Sequence, residues 1–131
     1  QVMSERNVSN SALWLGQEAF ADVYRFLVRL TTRYNMVAHK LLFTLRPANG
    51  AGGSGEFEEA VKAFGENLHS HLRKSDLMMQ SRNNQFFLLL PELDHAYVEQ
   101  VVERILNTFR ETGYDDKVRV VYQAAYLSEE L

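Results

Sequence analysis

The stretch that decides the fold is residues 72–91, which read LRKSDLMMQSRNNQFFLLLP. Two apolar runs, at 77–79 and 86–90, lie on either side of a short polar segment. That segment contains Asn83-Asn84, and asparagine tolerates the positive φ angles that tight hairpin turns require. The pattern therefore predicts two antiparallel strands joined by a turn.

Helical periodicity is found in three segments around this hairpin. Apolar residues recur three or four positions apart from residue 17 to about 35, from 56 to 73, and from about 95 to Thr112-Gly113. Asp94 precedes the last segment as a candidate N-cap. Each segment is expected to be an amphipathic helix with its apolar face on the sheet.

Two further segments have β character. An apolar run at 40–45 stops at Arg46-Pro47, and residues 118–126 are rich in β-branched and aromatic side chains. The element order is then one helix followed by β-α-β-β-α-β, the order in which two helices cover one face of an antiparallel sheet. The predicted fold class is α+β, a ferredoxin-like core with a four-stranded antiparallel sheet covered by helices and an additional N-terminal helix.

Length and composition indicate one domain. The chain has 131 residues, 46% of them hydrophobic, which is enough for one core and too little for two ordinary domains. Residues 1–14 begin with a polar stretch and are interpreted as a linker or the end of a preceding segment. The domain is expected to span residues 15–131.

Charge and cysteine content narrow the class of protein. The chain has no cysteine, which excludes disulfides and thiolate sites and is typical of a reducing cytoplasm. Its apolar runs are shorter than a bilayer span, and its start does not resemble a signal peptide. The formal net charge of −3 gives no field that would attract polyanions. We expect a cytoplasmic protein that binds neither membrane nor nucleic acid.

The hairpin also resembles a known signature. Arg73 and Asp76 form an Arg-x-x-Asp element before it, and its second strand ends in Leu90-Pro91. In these features residues 16–127 resemble the GGDEF domains, the diguanylate cyclases, whose turn carries Gly-Gly-Asp/Glu-Glu-Phe. The corresponding turn of this chain reads Arg82-Asn83-Asn84-Gln85-Phe86. Both glycines and both acidic residues are absent, so the resemblance is to a degenerate member of the family.

The chemistry of the family depends on carboxylates. Condensation of two GTP molecules needs Mg²⁺, a hard cation held by carboxylate and phosphate oxygens. The resemblance places one carboxylate on the first strand, where this chain has Thr44 or Leu45, and another in the turn, where it has Asn84 and Gln85. Neutral side chains do not replace that charge. The resemblance therefore predicts no catalysis, no metal site and no cofactor.

The Arg-x-x-Asp element leaves two interpretations open. In the family it forms an inhibitory site that binds cyclic di-GMP, which implies a ligand role for Arg73 and Asp76. From the residues alone, an arginine in the last turn of a helix and an aspartate in the next turn are ordinary structural features. The chain is accordingly interpreted as a non-catalytic regulatory or interaction domain of a bacterial signalling protein. Its expected partners are attached domains or a second copy, with cyclic di-GMP as the alternative.

The remaining motifs give weaker indications of function. Residues 49–55 contain four glycines, but the Lys-Ser/Thr of a phosphate-binding loop does not follow, so a natural loop or the scar of an engineered deletion is expected. The four histidines are expected at the surface or at helix caps and not in a metal site.

Overall fold

The computed structural model describes residues 12–48, 55–91 and 95–127. These residues form three helices and five strands, which confirms the α+β class. In chain order they are β1 (Leu13–Trp14), α1 (Gln17–Tyr34), β2 (Ala38–Pro47), α2 (Glu56–Ser70), β3 (Leu77–Ser81), β4 (Gln85–Pro91), α3 (His95–Arg110) and β5 (Val118–Tyr126). None of these helices is long and apolar enough to cross a lipid bilayer. The predicted N-cap Asp94 and the glycines at 50–53 lie outside the described residues.

Helix α1 forms where its periodicity predicts it. Phe20 and Val28 are buried on one face, and Tyr24 packs beside them. The helix ends because Asn35 adopts a left-handed conformation, with φ of 55°, and donates its backbone N–H to the carbonyl of Thr31. The predicted end at about residue 35 is confirmed.

The sheet has the strand order β1-β3-β4-β2-β5. Strands β2 to β5 pair antiparallel in the ferredoxin-like arrangement, as predicted. The prediction of a four-stranded, purely antiparallel sheet is wrong, because β1 adds a fifth strand parallel to β3, with Leu13 opposite Leu77. A two-residue strand is too short to show the alternation that identifies strands in a sequence. The domain boundary at residue 14 stays a prediction, although Trp14 pairs with the sheet.

The two faces of the sheet are covered differently. Helices α2 and α3 pack on one face, where Phe64 and Phe109 join Phe43 of β2 in the larger core. This confirms the prediction that the second and third helices share a face. Of the described helices, only α1 packs on the other face, against Met79 and Leu89. The sheet therefore lies between one helix and two.

The β3–β4 hairpin turns through residues 82–84, with Ser81 paired to Gln85. Positive φ angles occur at Arg82 (56°) and Asn83 (66°). The expectation of positive φ at Asn83-Asn84 is therefore correct for Asn83 and wrong for Asn84. The reason is that the carbonyl of Asn84 already accepts a hydrogen bond from the N–H of Leu45, at 2.9 Å, which holds Asn84 beside β2.

Arg82 is strained by this backbone conformation, so its replacement by glycine should stabilise the fold. The left-handed conformation costs a non-glycine residue about 1–2 kcal/mol. Glycine avoids this cost, but part of the gain is offset because glycine loses more conformational entropy on folding. We expect Arg82→Gly to raise the free energy of unfolding by about 0.5–1 kcal/mol, measured by urea denaturation. Arg119→Gly, in strand β5, is the control and should lower it. Equal losses in the two variants would contradict the assignment of strain to Arg82.

Candidate functional site

The turn end of the β3–β4 hairpin brings together the four residues singled out from the sequence. Thr44 lies opposite Gln85 in the register of β2 and β4. Asn84 Nδ2 donates to the carbonyl of Leu45 at 3.0 Å, and Gln85 Nε2 donates to Thr44 Oγ1 at 3.4 Å. Thr44, Leu45, Asn84 and Gln85 therefore lie together beside the turn.

Each of these contacts engages one side-chain amide of the cluster. The amides of Asn84 and Gln85 both donate to β2, and Leu45 is fully buried among the side chains under α2 and α3. The arrangement presents neutral amide and hydroxyl groups at the end of the sheet. Such groups can accept or donate hydrogen bonds, but they bring no charge to neutralise a bound cation.

A hollow of about 500 Å³ lies beside the turn. Trp14, Gly65 and Phe86 form part of its lining. A Cβ atom on Gly65 would lie 2.9 Å from the ring of Phe86 and 3.2 Å from Trp14, so glycine is what lets both rings approach α2. Trp14 was not singled out from the sequence as a site residue. Its strand is short, and the only signal would have been a lone tryptophan before a helix.

The charged residues around this hollow have both signs. Glu58, Lys62 and Glu66 of α2 face it together with Arg82 of the turn. Within the described ranges, no three His, Cys, Asp or Glu side chains come together in a way that could hold a metal ion. The hollow can therefore offer hydrogen bonds and stacking surface, and its described residues supply no ready cation site.

Two histidines lie in specific environments, and one of them contradicts the sequence-based expectation. His39 is fully buried in β2, where its ring packs 4.6 Å from that of Tyr126, so the expectation of a surface position is wrong. His69 is half-buried, its Nε2 lying 2.7 Å from the carbonyl oxygen of Ala12 and its ring 5.6 Å from Trp14. His69 thereby ties the segment of β1 to α2, which is a structural role.

The second candidate site is the Arg-x-x-Asp element between α2 and β3. Asp76 is buried, and its carboxylate accepts hydrogen bonds from the backbone N–H of Arg73 at 2.7 Å and from Arg73 Nη2 at 2.8 Å. Helix α2 ends at Ser70, three residues before the predicted end, because the N–H of Arg73 bonds to this carboxylate and does not continue the helix. Asp76 thus closes the loop.

Arg73 is only partly used by this pairing. Its side chain is 45% exposed, and Nη2 also donates to the carbonyl of Pro91 at 2.8 Å. Among the described residues no acceptor engages Nη1, so two N–H donors of the guanidinium have no partner in this part of the chain. The site is roughly 17 Å from the turn, since it lies at the opposite end of the five-residue strand β3.

No protein-family model matches the sequence, and no curated protein matches it either. Solved structures do match its fold. A DGC protein from Thermotoga maritima has 14% identity and a TM-score of 0.72, over 95% of this chain and 87% of that one.

Two GGDEF-type domains show the same likeness. The GGDEF domain of DgcB from Caulobacter crescentus, solved in complex with c-di-GMP, has 11% identity and a TM-score of 0.72, over 86% of this chain and 72% of that one. The active GGEEF domain of a diguanylate cyclase from Vibrio cholerae has 12% identity and a TM-score of 0.69, over 89% and 78%. At these identities the likeness concerns the backbone architecture: the chain has the fold of the GGDEF domains.

Proposed function

We propose that this chain is a catalytically inactive GGDEF-like domain that acts as a regulatory or interaction module of a bacterial signalling protein. The observation that carries the proposal is the cluster at the turn end of the hairpin. There, Thr44, Leu45, Asn84 and Gln85 stand where the family's carboxylates are expected, and they bond to one another. The fold is that of a cyclase, and the groups that would bind its metal are neutral.

The physical argument concerns charge. Transfer of a nucleotidyl group from GTP requires divalent cations that bridge the phosphate oxygens and neutralise the charge that develops on them. The amides of Asn84 and Gln85 are already bonded to β2, and the side chain of Leu45 is buried. The cluster would offer no carboxylate ligand to a Mg²⁺ ion bound nearby.

We expect the purified domain to produce no cyclic di-GMP from GTP with Mg²⁺ or Mn²⁺. Restoring the turn alone, with Arg82→Gly, Asn83→Gly, Asn84→Asp and Gln85→Glu, should not create activity, because Thr44 and Leu45 of β2 still supply no carboxylate. Product would be measured by mass spectrometry beside an active diguanylate cyclase as positive control. Cyclic di-GMP formed by the unmodified domain would contradict the proposal.

The second candidate function is a receptor for cyclic di-GMP, and the geometry of Arg73 favours it. Its guanidinium is held in place by Asp76 and by the carbonyl of Pro91, while no acceptor among the described residues engages the donors on Nη1. A positioned guanidinium suits a phosphate or the edge of a guanine, because its donors form a planar fork. Asp76 is buried, so its part in such a site would be to orient Arg73. The complex of the DgcB domain with c-di-GMP gives the ligand to test.

If the receptor hypothesis is right, Arg73→Ala should weaken binding of cyclic di-GMP about tenfold to a hundredfold. This is the loss of affinity expected when one or two charge-assisted hydrogen bonds are removed. Binding would be measured by calorimetry. Lys74→Ala removes an exposed neighbouring cation and is the matched control, with affinity expected to be unchanged.

Arg73 also satisfies a buried carboxylate, so circular dichroism at the assay temperature must first show that the Arg73→Ala variant is folded. The absence of heat with the wild-type domain at high micromolar ligand would reject the receptor function. It would leave the interaction-module proposal standing.

A further inference from the structure

Helix α1 covers only half of the sheet face on which it packs. Helix α1 packs on β3 and β4, where the rings of Phe20 and Phe87 lie 6.3 Å apart. Beyond it, Leu42 of β2 is only half-buried and Val121 of β5 is 55% exposed. A cleft of about 890 Å³ runs between α1 and this open part of the sheet.

The floor and walls of the cleft are mainly apolar. Its lining includes Phe20, Val28, Leu42, Phe87, Leu89 and Ala125. The volume lies within the range of small-molecule sites, and an apolar lining with a few polar groups is typical of them. The cleft is on the opposite face of the sheet from the core that holds α2 and α3, and Arg73 and the turn hollow do not contribute to it.

Three cations border this apolar surface: Arg25 and Arg29 of α1 and Lys40 of β2. Arg25 is paired with Asp22 one turn earlier on the exposed side of the helix. Lys40 Nζ lies 3.3 Å from the hydroxyl of Tyr24 and 5.7 Å from the centre of its ring, contacts that position the ammonium without neutralising it. Within the described residues, neither Arg29 nor Lys40 has a carboxylate at ion-pair distance.

We propose that this cleft binds a small amphiphilic anion, a molecule with an apolar body and one carboxylate. The apolar lining would cover the body, and Arg29 or Lys40 would bind the head through charge-assisted hydrogen bonds. Charge complementarity selects this class of ligand, because the chain as a whole carries a net charge of −3, while Arg29 and Lys40 beside the cleft have no carboxylate at ion-pair distance among the described residues.

The test compares two probes that share an apolar body and differ in charge, sodium octanoate and 1-octanol. Titration of the ¹⁵N-labelled protein should show octanoate binding at least about tenfold more tightly than octanol, with shifts at residues 20–29 and 121–125. Equal affinity for the two probes would overturn the proposal, because the cations would then contribute nothing.

Substitutions locate the head group. Arg29→Gln and Lys40→Gln should each weaken octanoate binding several-fold and leave octanol binding unchanged. Arg33→Gln is the matched control, since Arg33 is one turn further along α1, is exposed and does not line the cleft. A loss of octanoate affinity in Arg33→Gln equal to that in Arg29→Gln would mean a general effect of charge and would overturn the site.

Filling the cleft provides an independent variant. Ala125 is exposed in β5 and opposite Lys40, so Ala125→Trp should fold normally and abolish binding of octanoate. Undiminished binding in that variant would place the site elsewhere. Sedimentation of the wild-type protein tests the other occupant: a dimer that Ala125→Trp dissociates would assign the cleft to a second copy and would overturn the proposal.

Discussion

The pairing register of β2, which lies between two other strands of the sheet, is the constraint on which the rest of the structure depends. It pairs with β4 on one side and with β5 on the other. Because side chains alternate along a strand, Leu41 and Phe43 enter the core under α2 and α3, while Lys40, Leu42 and Thr44 lie on the opposite face. A slip of one residue would exchange these two sets. The register of β2 therefore decides which side chains reach both the hairpin end and the cleft.

The hairpin and its neighbours were predictable because their signals are local or periodic. The turn chemistry of Asn83 and the apolar run that begins at Phe86 lie within a few residues of each other, and the helices repeat an apolar face over several turns. Strand β1 was not predictable. Two residues carry no period, and the partner of Trp14 is Met78, more than sixty positions away, so only tertiary packing defines that strand.

Side-chain environments were harder to predict than elements. The spacing of Arg73 and Asp76 is visible in the sequence, but the burial of one and the exposure of the other follow from how α2 meets β3. His39 shows the same limit, since a histidine in a strand is buried or exposed according to the face on which register places it. The cleft beside α1 exists because none of the described helices covers that part of the sheet. Hydrophobic periodicity within a segment does not indicate which part of a sheet stays uncovered.

The turn shows that this fold does not require glycine at positions 82 and 83. Positions 82 and 83 keep the left-handed backbone that glycine would adopt most easily, so the hairpin survives without glycine at the cost of strain at Arg82. Arg82 is exposed, and Asn84 and Gln85 are half-buried and bonded only to the neighbouring strand, so their identities weigh little on the core. The fold of the DGC protein from Thermotoga maritima is shared at 14% identity, and in this chain the buried side chains of β2 and β4 contribute to the core. A likeness of that kind transfers the scaffold, and the function has to be argued from the side chains that the scaffold presents.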